Sequence, residues 1–297
     1  MLLSAASLRH SILAFSLPLA LALAVPAQAI EKANPEAKRI IAVGGTVTEI
    51  LYGLGAGDRI IARDATSLFP AEAMSKPDVG YMRTLSAEGL LSQQPDLILA
   101  EDGAGPADVV GILKASDISY VTIDTPPTVE AVSKKIADVA AAVGLEDKAK
   151  DMIAKVEADF AKLNQDVAAI TGPKKKVLFV LSTAGGRVMA AGDDTEANTI
   201  IALAGAENVA KGFSGYKPMN DEAVIAAAPD VVLTINRGSL SLASNDLFTL
   251  PAFQGTPAAA NNAHISMDAL YLVGFGPRTP AAAHDLAAKL YPESIKQ

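Results

Sequence analysis

Two tyrosines in this chain stand at matching places in two copies of one pattern, each followed closely by a cation. Gly80-Tyr81-Met82-Arg83 runs on through Glu88 to Pro95-Asp96-Leu97-Ile98-Leu99, and Gly215-Tyr216-Lys217 runs on through Glu222 to Pro229-Asp230-Val231-Val232-Leu233. One residue of slack between tyrosine and glutamate is the only mismatch in register. A phenol beside a guanidinium can serve as a hard oxygen donor, because a nearby cation favours ionisation of a group that otherwise titrates at about 10. In an extended segment residues two apart point to the same side, which sets Arg83 beside Tyr81. The pair also reads as a half-buried loop aromatic next to a surface charge, and the residues alone leave both readings open. Arg237 follows the apolar run 231–235 and so emerges at the carboxyl end of a strand, where open α/β folds bind ligands. Glu88 and Glu222 each follow an N-cap candidate, Ser86 and Asn220, where an acid offsets the helix dipole.

A duplicated unit of this length implies two related lobes with a cleft between them, and such clefts are preferred ligand sites. Each lobe alternates strand and helix patterns, which predicts an α/β fold of two Rossmann-like lobes with mostly parallel central sheets. The first lobe is expected to open with a strand at 39–43 and then a helix. Thr46 is the expected N-cap of that helix, with Glu49 as its capping-box partner. A strand at 60–62 follows. The second lobe repeats this opening more loosely, with 188–192 leading into a helix over 195–206.

Between the lobes, residues 146–169 contain no glycine or proline and carry apolar residues from Ala149 to Val167 at three-four spacing. A helix of that length spans about 36 Å and can brace both lobes, which predicts limited hinge motion. The expected division is a signal segment at 1–29, an N-terminal lobe at 30–145, a linker helix at 146–171 and a C-terminal lobe at 172–297.

Arg9, the apolar stretch 12–25 and Ala27-Gln28-Ala29 form the pattern of a cleavable secretory signal. The chain has no cysteine, so thiolate chemistry, disulfides and a lipidated N-terminal cysteine are excluded, and a soluble, exported protein that is not a lipoprotein is expected. A formal charge of -8 argues against a nucleic-acid partner. Beyond the signal the only histidines are His264 and His284, too few and too far apart for a zinc or manganese carrier, and both read as structural. Gly44-Gly45-Thr46 lacks the lysine of a P-loop, and Gly212-Phe213-Ser214-Gly215 lacks the spacing of a nucleophile elbow. No catalytic residues are expected and the chain is not read as an enzyme.

The run from Gly80 to Leu91, the stretch Met189-Ala190-Ala191-Gly192, Gly215-Tyr216-Lys217-Pro218 and the ending Gly274-Phe275-Gly276-Pro277-Arg278-Thr279-Pro280 resemble the periplasmic haem-binding proteins of bacterial ABC haemin importers. The resemblance covers essentially the whole mature chain. It shares its two lobes and linker helix with the wider vitamin B12 and siderophore binders. It implies that haem is the transported ligand and that Tyr81 is the axial ligand to its iron. Arg83, Lys217 and Arg237 are then the candidates for the bound anion, with Arg187 behind them; pseudo-symmetry brings Tyr216 to the opposite wall, where stacking on the macrocycle, a place near the iron and core packing all stay open. In some relatives a second-lobe histidine adds an iron ligand; here the segment Ser182-Thr183-Ala184-Gly185-Gly186-Arg187 has none, which favours one protein ligand. The resemblance further implies that Glu88 and Glu222 dock on an inner-membrane ABC permease, with an outer-membrane haem receptor system upstream. The alternatives are a ferric siderophore or corrinoid binder on the same fold, and more distantly a secreted two-domain α/β hydrolase.

Overall fold

Four short apolar runs in the first half of the chain form β1 (Ile40–Val43), β2 (Ile60–Arg63), β3 (Leu97–Glu101) and β4 (Ser119–Ile123). The computed structural model describes residues 33–237 and 242–295; the signal segment expected at 1–29 lies outside the described residues. The four strands pair in parallel in the order β2-β1-β3-β4. Parallel strands need crossover helices on both faces, which is why β1 and β3 are continuous apolar runs rather than alternating ones. The helices are α1 (Gly45–Gly53), α2 (Ala87–Leu91), α3 (Ala107–Ala115) and α4 (Val129–Val143).

Next comes α5 (Glu146–Ala168), ending one residue before the patterned stretch 146–169 and three before the expected linker boundary at 171, which buries Ala149, Val156, Phe160 and Leu163. The second half contains β5 (Lys176–Ser182), β6 (Val188–Ala191), α6 (Glu196–Leu203), β7 (Glu207–Asn208), β8 (Tyr216–Met219), α7 (Asp221–Ala227) and β9 (Val231–Asn236). It ends with α8 (Ser244–Phe248), α9 (Pro257–Ala260), β10 (His264–Asp268), α10 (Ala269–Val273) and α11 (Thr279–Leu290). Helix α5 packs on α4 on one side and on α6 and α11 on the other, and one apolar cluster runs from Ile40 through Phe160 to Phe179.

The duplication is visible in the topology. Strand β7 lies beside β5, β5 beside β9 and β9 beside β10, all parallel, repeating the 2-1-3-4 order of the first sheet. The counterpart of β1 is therefore β5, a strand absent from the expected elements because its lysine-rich start reads as a turn. Residues 188–191 are an addition: β6 runs antiparallel to β5, and β8 antiparallel to β6, so the second sheet is mixed.

The expected capping box at Thr46 does not form. Helix α1 starts at Gly45, and its N-cap Gly44 has φ 107 with no side-chain cap. The cap comes from the neighbouring strand: Glu101 Oε1 accepts from the backbone N–H of Thr46 at 2.8 Å and of Val47 at 3.2 Å. A Cβ at Gly44 would lie 2.3 Å from the Glu101 carboxyl carbon, so only glycine admits this approach.

Thr46 and Glu49 are thereby released to join the lobes. Thr46 Oγ1 donates to the Gly274 carbonyl at 2.6 Å, and Glu49 accepts a two-pronged hydrogen bond from Arg278 at 3.0 and 2.9 Å. The Arg278 guanidinium also lies 3.6 Å from the centre of the Phe69 ring. Lys135, 1% exposed on α4, donates to the Phe275 carbonyl at 3.0 Å, with the Gly274 carbonyl at 3.5 Å. Each lobe thus supplies a cation to the other along a polar seam.

Candidate functional site

A cleft of about 480 Å³ opens between the lobes at the carboxyl ends of their strands, lined by Tyr81, Arg83 and Glu101 from one side and Glu196, Asn236 and Arg237 from the other. In both sheets the parallel strands end here, because the loops leaving their carboxyl ends are the ones that the crossover helices leave uncovered.

Tyr81 sits in a β-turn rather than the expected extended segment: the Thr84 N–H donates to the Tyr81 carbonyl at 2.8 Å. Gly80 enters the turn at φ 95, and its carbonyl accepts from Ala65 N–H at 2.8 Å, which ties the turn to the loop after β2. Met82 is buried at 8% exposure and anchors the turn, while Tyr81 remains 44% exposed. Tyr81 and Arg83 therefore both line the cleft despite the changed backbone.

Tyr216 is on β8, partly exposed, with its ring edge-on to Phe179 at a centroid separation of 6.3 Å. Its phenol is pushed up to about 12, first by burial and then by the negative charge of Glu196. Arg237 and Arg83 pull the other way, so the second tyrosine feels arginines from both lobes. Lys217, the next residue of the strand, takes the other face and sits over the Phe213 ring at 5.9 Å. Tyr216 and Lys217 are not among the residues lining the cleft, and Arg187 is exposed outside it.

The floor of the cleft holds groups that the sequence reading did not single out. Burial holds the Glu101 carboxyl above its usual range, an effect opposed by the charge of Lys135 and by the two N–H groups of α1. Burial likewise holds the Lys135 ammonium below its usual range, opposed first by Glu101 and then by Glu196. The signal for Lys135 was its spacing: Ala131, Lys135 and Val139 lie four apart on the buried stripe of α4. Glu101 carried no comparable signal, since its role depends on the N–H groups of Thr46 and Val47, 55 and 54 residues away in sequence.

Glu88 and Glu222 are exposed in the first turns of α2 and α7. Their caps form as expected: Ser86 Oγ accepts from Gly89 N–H at 3.2 Å, and Asn220 Oδ1 from Ala223 N–H at 2.8 Å. His264 is held between Thr234 and Ser244 hydroxyls, each at 2.8 Å, and desolvation lowers its pKa, in keeping with a structural role. Among the described residues no group of three or more histidine, cysteine or carboxylate side chains could hold a metal ion. No helix among them is long and apolar enough to cross a membrane.

A family model described as periplasmic binding protein matches residues 40–271. An uncharacterised ABC transporter substrate-binding lipoprotein of Bacillus subtilis strain 168, YvrC, is 25% identical over 264 residues, covering 88% of this chain and 82% of that protein. A vitamin B12-binding protein of Vibrio parahaemolyticus is 25% identical over 266 residues, covering 89% and 93%. Among solved structures, the periplasmic heme-binding protein BhuT in complex with two hemes is 38% identical with a TM-score of 0.82, covering 86% of this chain and 98% of that one. The apo form of the periplasmic heme-binding protein RhuT from Roseiflexus sp. RS-1 is 35% identical with the same TM-score and coverage. YvrC is a lipoprotein, so the comparison gives no support to the expectation of an unanchored chain.

Proposed function

The chain belongs to the periplasmic binding protein family, the non-enzymatic substrate-binding components that work with the membrane permease of an ABC transporter, and from that premise we propose that its cargo is haem. The observation that carries this reading is Tyr81, an exposed phenol on a pinned turn in the cleft wall, with Arg83 and Arg237 lining the same space. Tyr81 ligates the ferric iron, and the arginines pair with the propionates. Tyr216 lies outside the cleft lining, near enough for its phenol to feel the charge of both arginines. Lys217 is not among the cleft-lining residues and sits over the Phe213 ring, so it is a weaker anion candidate than the two arginines. The heme-binding relatives support the reading, and the vitamin B12-binding relatives define its rival.

Titration of the purified protein with haemin, followed at the Soret band, tests it. The expected result is saturable binding, weakened about tenfold or more by each of Arg83→Ala and Arg237→Ala, since charge-assisted hydrogen bonds contribute roughly 1.5–3 kcal/mol each. Saturable binding of cyanocobalamin with no haemin binding would replace haem by a corrinoid.

Delivery uses another surface. Glu88 and Glu222 occupy corresponding helix starts, one per lobe, and are proposed to meet cations of the permease. Each is exposed and each helix keeps its own cap, so Glu88→Ala/Glu222→Ala is expected to leave haemin affinity unchanged. The same variant is expected to lower haemin-stimulated ATPase activity of the reconstituted transporter by at least tenfold, because rim charges steer and register partners. Full stimulation would reduce both glutamates to helix-dipole partners.

A further inference from the structure

The loop at 64–68 is built more rigidly than a surface turn requires. The buried Asp64 carboxylate accepts from the backbone N–H of Gly44 and Thr66, each at 2.9 Å, and from the hydroxyls of Thr66 and Ser67, each at 2.7 Å. Ser67 is also buried, 2.7 Å from the Thr48 hydroxyl. What this polar staple presents is one apolar side chain, Leu68, 46% exposed. Its neighbour Phe69 is similarly exposed but carries the Arg278 guanidinium on its face.

Leu68 lines the cleft from the first lobe and Leu270 lines it from the second, and the two also share an adjoining groove. Leu270 lies close over two glycines. A Cβ on Gly45 would meet its Cδ1 at 2.6 Å, and one on Gly274 would meet it at 2.9 Å. The missing side chains let Leu270 settle against the backbone, which keeps that wall low and apolar. An apolar side chain fixed in place before the ligand arrives loses little conformational freedom on binding, so its burial contributes nearly in full.

Building on the haem reading, we infer that Leu68 and Leu270 form an apolar clip, one jaw from each lobe, that grips the flat face of a porphyrin and selects it against a corrinoid. A corrin ring carries amide groups on both faces, and the two leucine side chains have no polar atom to pair with those pressed against them, while Thr66 and Asn236 line the cleft elsewhere. Desolvating such groups without partners disfavours that ligand, which is discrimination by exclusion.

Iron-free protoporphyrin IX separates the clip from the iron ligand, because it binds through the walls alone. The parent is expected to bind it, and Leu68→Asn to bind both protoporphyrin IX and haemin about tenfold or more weakly, the effect of losing one buried leucine contact. The ferric spectrum of haemin-saturated Leu68→Asn should match the parent, since Tyr81 is untouched, and Leu68→Met should restore affinity. Leu68→Ala serves as a second truncation should the asparagine variant melt early. Unchanged protoporphyrin IX affinity in Leu68→Asn or Leu68→Ala, or a parent that binds haemin and ignores protoporphyrin IX, overturns the clip and leaves the haem reading standing. A parent that binds no haemin overturns both.

Discussion

Tyr81→Ala is expected to abolish the high-spin ferric tyrosinate spectrum and to weaken haemin binding by well over the ~10–100-fold that loss of an outer-shell metal partner costs. The turn should survive the change. Its fixed points are the Gly80 carbonyl bonded to Ala65, the buried Met82, and the Thr84 N–H on the backbone carbonyl of residue 81, none of which uses the phenol. Tyr81→Phe refines the test, because it keeps the ring against the macrocycle and removes only the oxygen. The phenylalanine variant should therefore retain more affinity than alanine while giving the same changed spectrum. An unchanged spectrum in both variants would assign ligation elsewhere, with Tyr216 the first candidate. Tyr216 starts at a disadvantage, since burial and Glu196 push its phenol up to about 12 and so disfavour the phenolate.

Lys135→Met is expected to cost about 3 kcal/mol of stability, the magnitude typical of removing one partner from a buried charged network. The Phe275 carbonyl loses its donor at 3.0 Å, and Glu101 loses the cation that offsets its burial. The loss should depend on pH in a defined direction. Glu101 in the folded protein holds its proton more tightly than in the unfolded chain, where it titrates near 4.5. Its contribution is fully present below that value and is lost as pH rises through the raised folded-state value. Removing Lys135 raises the folded-state value further, so the stability gap between parent and variant should be smaller at pH 4 than at pH 8. Urea unfolding at the two pH values measures this. A gap independent of pH would mean that Lys135 acts only on the carbonyls of the second lobe.

The two-lobe architecture was legible because its markers are local. Pro95-Asp96 and Pro229-Asp230 precede β3 and β9, Ser86 and Asn220 cap α2 and α7, and the apolar stripe of α5 runs without interruption. The cleft positions of Tyr81, Arg83 and Arg237 followed from the same markers, since each lies in a loop adjoining a recognisable strand or helix. What escaped was decided by partners distant in sequence. Thr46 and Glu49 have the spacing of a capping box, yet Glu101 takes over the cap, and both side chains serve the other lobe instead. Lys135 sits beside Lys134 in a segment that reads as a solvated face until the four-residue spacing of its buried neighbours is counted. Strand β5 was hidden by Lys174-Lys175-Lys176 at its start, though 177–181 is a plain apolar run. Leu68 gives no signal at all in sequence, because what sets it apart is the hydrogen bonding beneath it.

The seam behind the cleft joins residues that are very far apart along the chain: 228 positions for Thr46 and Gly274, 229 for Glu49 and Arg278, 140 for Lys135 and Phe275. Each sheet can assemble from near neighbours, but closing loops of this length carries an entropic cost that is recovered only once most of the chain is ordered. A polypeptide emerging amino end first therefore lacks this polar seam until residues 274–278 arrive, although α5 already joins the two halves through α4 and α6. The polar back of the cleft is then completed only when the rest of the chain is already available to fold.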